Sequence, residues 1–304
     1  MLLHDLTADA HQWLVERHEV DYQPALADDP PLLRSQIYDA NALIVPPRLK
    51  IDIQLLNSAP RLMAIGRICD DTDNLDLQAC QRRGVRIIQA SGFTARASAE
   101  YLLFSLLSLY RRGAQARGSF TDAPQGREIN DSVVALLGLT PPAQLLASTL
   151  TSLGACVVGY DPAVHRSAEL WHRLGVQPMG LAAMLKIADA VSVQLVYASR
   201  YRGLVGERVL ESCKPGQLWA SITRSLVFDL PALAAALRDG RIGALLMDSD
   251  DEQLAHAGNP LKDLPNLRIT PGAAPLTQES MVRGSWHLAD RIHHTLVKRR
   301  ADQI

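Results

Sequence analysis

The sequence predicts an α/β protein built from two doubly wound parallel sheets, and three observations carry that prediction. Its strand-like segments are short and apolar almost throughout, as in "VVALLG" (133–138), "ADAVSVQL" (188–195) and "IGALLMD" (242–248). Strands buried on both faces read this way, whereas strands with one wet face alternate. Helix-like stretches separate them, the pattern of a parallel sheet covered on both sides. The 304 residues also fall into two such series around one long apolar helix, and chains of this length ordinarily divide into two domains.

In the first series, "ALIVPP" (42–47), "RLMAIGR" (61–67) and "VRIIQAS" (85–91) are the strands, each bounded by turn or polar residues. Between the last two, "NLDLQACQRRG" is a helix opening at Asn74 or Asp76 and stopping at Gly84. "TARASAEYLLFSLLSLYRRG" (94–113) is apolar on most faces and so largely buried, with Arg111 and Arg112 suited to the negative end of its dipole. The second series starts at "VVALLG", passes through a helix over 141–153 and reaches strand "ACVVGYD" (155–161). "ADAVSVQL", "GQLWASIT" (216–223), "IGALLMD" and "LRIT" (267–270) continue it, and "EQLAHAGNPLKDLPN" (252–266) reads as a long surface connection.

Composition excludes several classes. A formal charge of -1 makes no electrostatic case for nucleic acid or an anionic membrane, and the final "VKRR" reads as a solvated helix end. No uninterrupted apolar run is long enough to span a bilayer. The start, "MLLHDLTADAH", has acids and no basic stretch, so it does not read as a signal peptide. Cys69, Cys80, Cys156 and Cys213 form no C-x-x-C and no paired framework. A cytoplasmic protein with reduced thiols is the expectation.

The order of motifs resembles the D-isomer-specific 2-hydroxyacid dehydrogenase family, which includes phosphoglycerate dehydrogenases. The resemblance covers nearly the whole chain. It rests on "GRICDDTDNLDLQACQRRGV" (66–85), "ASAEYLLFSLLSLYRR" (97–112) and the strand–Gly–helix–strand unit ending at Asp161. The long run from 204 to 248 and "NPLKDLPNLRITP" (259–271) complete it. It implies two Rossmann-like lobes: a flavodoxin-like substrate lobe from residues 1–96 plus 276–304, and a nucleotide-binding lobe from 97–275 inserted between them. It also implies NAD as cofactor, a small carboxylate as ligand, and a homodimer whose nucleotide lobes pair around the 94–113 helix.

In the family's G-x-G-x-x-G loop, the first glycine makes the turn, the second admits the pyrophosphate and the third lets the helix pack close to the strand. Those positions here are Gly138, Thr140 and Ala143. Alanine is an accepted third residue, but Thr140 puts a Cβ where phosphates come close. Pro141 and Pro142 then delete two consecutive N–H groups from the helix end that binds anions. The same residues make a good helix start, Thr140 as N-cap and proline in the first turn. The sequence thus keeps the helix start and discards the anion site. Asp161 matches the family's ribose-binding acid, which favours NAD over NADP; it equally fits a turn cap before Pro162.

The family's chemistry uses a histidine as acid/base, a glutamate to orient it and an arginine to hold the substrate carboxylate. Arg224, in "SITRS", occupies the arginine position. The glutamate position is Gln253, and a one-residue slip in the loop presents Glu252 instead. In "LRITPGAAP" the histidine position is Gly272, which has no titratable group. His256 and His287 are the remaining candidates, with only His256 kept as an outside one. Cys69, Asp70 and Asp71 replace small residues in the loop that receives the substrate carboxylate, and two acids there disfavour an acidic ligand. Asp73, Asn74 and Asp76 match the remainder and read as structural.

Departures concentrate where chemistry occurs, while elements needed for the fold are intact. The sequence therefore predicts a non-catalytic or very weakly active homologue. The alternative is a working NAD-dependent oxidoreductase on a small 2-hydroxy or 2-keto acid, with water or His256 moving the proton. A third class, an unrelated binding protein reusing the fold, stays open at this point.

Overall fold

The computed structural model describes residues 1–68, 74–90, 92–111 and 125–301; Cys69, Asp70, Asp71, Asp73 and Arg112 lie outside them. The chain divides into two units, Met1–Thr94 with Leu276–Ile304, and Ala95–Pro275. The first boundary falls at Thr94 rather than at residue 96, because the helix Ala95–Tyr110 opens there with Ala95 already buried.

In the first unit, β1 (Ala42–Ile44), β2 (Ala64–Arg67) and β3 (Arg86–Gln89) form a parallel sheet in that order, with Leu43 beside Ile65 and Ile65 beside Ile87. Both faces are covered, as the apolar strands require. Leu33, Leu55, Leu56 and Ala79, from three short helices, pack with Leu43 and Ile65. Ala10 and Leu14 from the helix Ala8–Val15, and Leu288, Ala289 and Ile292 from the helix Gln278–Ala301, pack with Ile44, Ala64 and Ile88. Of the two candidate helix starts, Asp76 is the cap, its carboxylate accepting from Ala79 N–H at 2.8 Å. Asn74 is a cross-link instead: its amide donates to Pro47 O (2.6 Å) and Leu49 O (2.9 Å) and accepts from the buried Arg67 (2.8 Å).

The second unit is built on β4 (Val133–Leu137), β5 (Cys156–Tyr160), β6 (Gln177–Pro178), β7 (Ala190–Val193), β8 (Gln217–Ser221), β9 (Ile242–Asp248) and β10 (Leu267–Thr270). Their order is β10–β9–β8–β7–β4–β5–β6, and every neighbouring pair is parallel. The sheet reverses its direction of growth between β4 and β7, the switch point beside which open α/β sheets leave a crevice. On one face Leu102, Leu106, Leu146 and Leu150 cover Val134, Leu136 and Ala220. On the other, Met184, Leu185, Leu233 and Leu237 pack with Leu137, Val191 and the fully buried Trp219.

Two features depart from the sequence reading. The edge strand β6 was not anticipated; it is two residues long, and its Pro178 is tolerated because an edge strand can do without one donor. The 252–266 connection is not wholly on the surface: it contains the helix Glu252–Ala255, and Leu261 is buried in the core.

Gly138, directly after β4, has φ +99°, and a Cβ there would lie 2.8 Å from the backbone N and Cα of Leu195. Gly138→Ala is therefore expected to destabilise the protein by about 2–4 kcal/mol, combining left-handed strain with overpacking against backbone that cannot swing away. A urea-unfolding midpoint equal to that of the parent would show this reading of the turn to be wrong.

Candidate functional site

The loop after β4 turns at Gly138 and enters the helix Pro141–Ser152. Ala143 is fully buried in the core, so the small third residue serves the close packing of helix and strand. Thr140 occupies the N-cap position but makes no capping hydrogen bond, and its hydroxyl is buried without a partner. This corrects the expectation of a side-chain cap. Of the two donors such a hydroxyl ordinarily accepts from, the second helical residue is Pro142, which has no N–H, and the third, Ala143, is not bonded to it.

Other side chains hold the loop instead. Asp161 Oδ2 accepts from Leu139 N–H at 2.7 Å, and Gln144 donates to Leu139 O at 3.1 Å. The other carboxylate oxygen of Asp161 accepts from Ala163 N–H at 2.7 Å, closing the turn at Pro162. These contacts fill the turn-cap role expected of Asp161.

Beyond β8 and β9 the polar groups converge on Asp251, a residue sequence reasoning passed over. Arg224 Nε donates to its Oδ1 at 2.9 Å. Its Oδ2 accepts from the Ser225 N–H (2.6 Å), the Ser225 hydroxyl (2.7 Å) and the Ser249 hydroxyl (3.0 Å). Gln253 joins through Ser225, donating to its Oγ at 2.5 Å. The Arg224 guanidinium also lies 5.3 Å from the Tyr197 ring centroid. The Asp251 side chain is 6% exposed and that of Arg224 38%. Burial pushes the Asp251 carboxyl upward, but the Ser225 hydrogen bonds and the adjacent Arg224 outweigh it and hold it below its ordinary value.

Glu252 takes no part. It is exposed in the first turn of its helix, so the slip that would have presented it does not occur. One residue is about 100° of helical rotation, which turns Glu252 to solvent and Gln253 towards Ser225.

The position of the family histidine is equally defined. Gly272 has φ +70°, and the loop around it is pinned to the buried Asp248. That carboxylate accepts from Ala273 N–H (2.7 Å), Ala274 N–H (2.8 Å) and the Thr270 hydroxyl. Thr270 in turn accepts from the Tyr101 hydroxyl at 2.6 Å. No imidazole enters this network. His256 is exposed beside a surface cavity of 590 Å³ that Gln253, Arg202 and Phe228 also line. Its ring makes no hydrogen bond among the described residues. His287 belongs to the first unit, where its ring packs on Phe93 and burial, with the charge of Arg291, lowers its pKa. Among the described residues no cluster of His, Cys, Asp and Glu is arranged to hold a metal ion.

A parallel sheet that switches direction at β4, a glycine turn after that strand, an acid at the end of β5 and an arginine after β8 define a dinucleotide-fold protein of the dehydrogenase type. Residues 103–274 match the family model described as "D-isomer specific 2-hydroxyacid dehydrogenase, NAD binding domain". The chain belongs to that family. It is 32% identical over 284 residues to the (S)-sulfolactate dehydrogenase of Chromohalobacter salexigens, covering 91% of both chains. It is 30% identical over 272 residues to the D-3-phosphoglycerate dehydrogenase of Mycobacterium leprae, covering 87% of this chain and 51% of that one, so it spans about half that relative's length. The fold matches D-lactate dehydrogenase from Aquifex aeolicus, complexed with NAD and lactic acid, with a TM-score of 0.81 at 20% identity over 100% of this chain and 96% of that one.

Because the folded Asp251 carboxyl is held below its unfolded value, its contribution to stability is complete above about pH 4 and is lost as pH falls through the folded value. Asp251→Asn is expected to cost about 1–3 kcal/mol at neutral pH by weakening the bonds to Arg224 and Ser225. It should also flatten the fall in stability below about pH 4. Urea titrations at a series of pH values check both; an unchanged acid limb in the variant would remove Asp251 from this role.

Proposed function

We propose that this chain is a non-catalytic or very weakly active member of its family, which keeps the scaffold and no longer holds NAD. The observation that carries the reading is the loop after β4. Binding a pyrophosphate takes unpaired N–H groups at a helix start. Here Pro141 and Pro142 have none, and the N–H of Leu139 is taken by Asp161. Asp161 in turn already accepts a backbone donor on each oxygen. The residues present do not fit the dinucleotide.

Gly272 supports the same reading, since a positioned acid/base is worth about 10²–10⁴ in rate. What remains is Arg224, held by Asp251, as the anchor for a small carboxylate ligand. A cytoplasmic location belongs to the proposal; no described helix is long and apolar enough to cross a membrane.

Calorimetric titration with NAD⁺ and NADH is expected to give no binding up to millimolar nucleotide. Replacing both prolines, Pro141→Ser with Pro142→Ala, should restore measurable NADH binding without turnover, because Gly272 is unchanged. Micromolar binding by the parent chain, or its turnover of a 2-keto acid, would overturn the proposal.

The assembly we propose is a homodimer through the helix Ala95–Tyr110. Phe104 is 59% exposed and Leu107 37% exposed on that helix, an apolar face that a second copy would cover. Light scattering should give twice the chain mass of 33.2 kDa, and Phe104→Glu should shift the protein to monomer. A monomeric parent would refute this assembly.

A further inference from the structure

The first unit carries an imidazole pair that the candidate site does not use. His18, just beyond the helix Ala8–Val15, and His293, on the C-terminal helix, are 275 residues apart in sequence, with His18 Nε2 and His293 Nδ1 at 3.0 Å. The ring centroids are 5.2 Å apart, so the two nitrogens point at each other along the line between the rings. That is hydrogen-bond geometry: one nitrogen carries the proton and the other must be bare. A shared metal ion would need both lone pairs aimed at a third point.

We propose that the His18–His293 pair is a pH-sensitive latch holding the N-terminal segment onto the C-terminal helix of the first unit. The bond persists while the pair carries no extra proton or one. A second proton removes the acceptor and sets two like charges side by side.

Among the described residues, the charged ones adjoining the pair in sequence are Glu16, Arg17 and Glu19 on the N-terminal segment and Asp290, Arg291, His294 and Lys298 on the helix. Glu16 is engaged with Arg17 (3.2 Å) and Asp290 with His294 (3.2 Å), and Arg17 also lies over the Trp13 ring. Trp13 packs edge-on against His293 at 5.1 Å, and the His294 ring centroid is 5.7 Å from that of His293. Closer to the N-terminus the docking does not titrate: Ala10 and Leu14 are buried with Leu288, and Thr7 N–H donates to Ser285 Oγ at 3.0 Å. The latch therefore loosens the end of the segment and leaves its beginning in place.

Three amides report on it, because Glu16 N–H donates to Gln12 O and the N–H groups of Arg17 and His18 donate to Leu14 O. Hydrogen exchange of the full chain, corrected for intrinsic rates, should show their protection falling by at least about tenfold between pH 7.5 and 5.0, one unit's worth of proton linkage. His18→Gln puts in place of the titrating ring an amide whose nitrogen donates to a neutral His293 and whose oxygen, with the amide turned over, accepts from a protonated one, so its protection should be the same at both pH values. Equal protection in the parent at both pH values would overturn the latch, and so would a His18→Gln variant that loosens as the parent does. If that variant fails to fold, His293→Gln supports the same comparison with the amide accepting in place of the ring.

Discussion

The second unit depends on how closely the ends of β4 and β7 approach at Gly138. No side chain fits between that residue and the backbone of Leu195, so the turn leaving β4 can only be glycine. The strand ends are then stitched across. Gln194 donates to Gly138 O at 2.7 Å while accepting from Ser192 at 2.6 Å, and Thr223, beyond β8, donates to Leu195 O at 2.5 Å. These polar groups are buried, and leaving any of them unpaired would cost more than the bond itself contributes. The switch point of the sheet is thus held by bonds within the protein itself.

Around that edge, carboxylates have been turned inward. Asp161, Asp248 and Asp251 lie at or beyond the ends of β5 and β9, and each accepts backbone N–H groups of a neighbouring loop. An ionised carboxylate makes stronger hydrogen bonds than a neutral acceptor and can take several at once, so three such residues fix three loops. The prolines at 141 and 142 add to the same order, since their fixed φ suits the first helical turn and they place no N–H there.

At the opposite end of the same sheet, Asp189 shows the pattern without any link to the site. It accepts from Val133 N–H at 2.9 Å and from Lys214 at 2.6 Å, with Arg127 at 3.6 Å. Burial raises its carboxyl, but Lys214, Val133 and Arg127 together bring it below its ordinary value. An acid at a strand terminus is therefore the general means by which this chain joins strand ends to loops.

The sequence by itself determined every strand but the two-residue β6, the parallel pairing and the two-part division, because an apolar run bounded by turn residues buries itself wherever the chain leads it. It also determined which donors and titratable groups are missing, since Pro141, Pro142 and Gly272 lack them in any conformation. Only the tertiary structure decided which of the remaining groups meet. Asp251 finds Arg224 across 27 residues, His18 finds His293 across 275, and the phase of one helical turn chose Gln253 over Glu252. Thr140 loses its expected partner, and Asp161 gains one on the neighbouring loop. Local periodicity is set by neighbours along the chain, whereas a side chain's partner is set by packing between segments that the sequence leaves far apart.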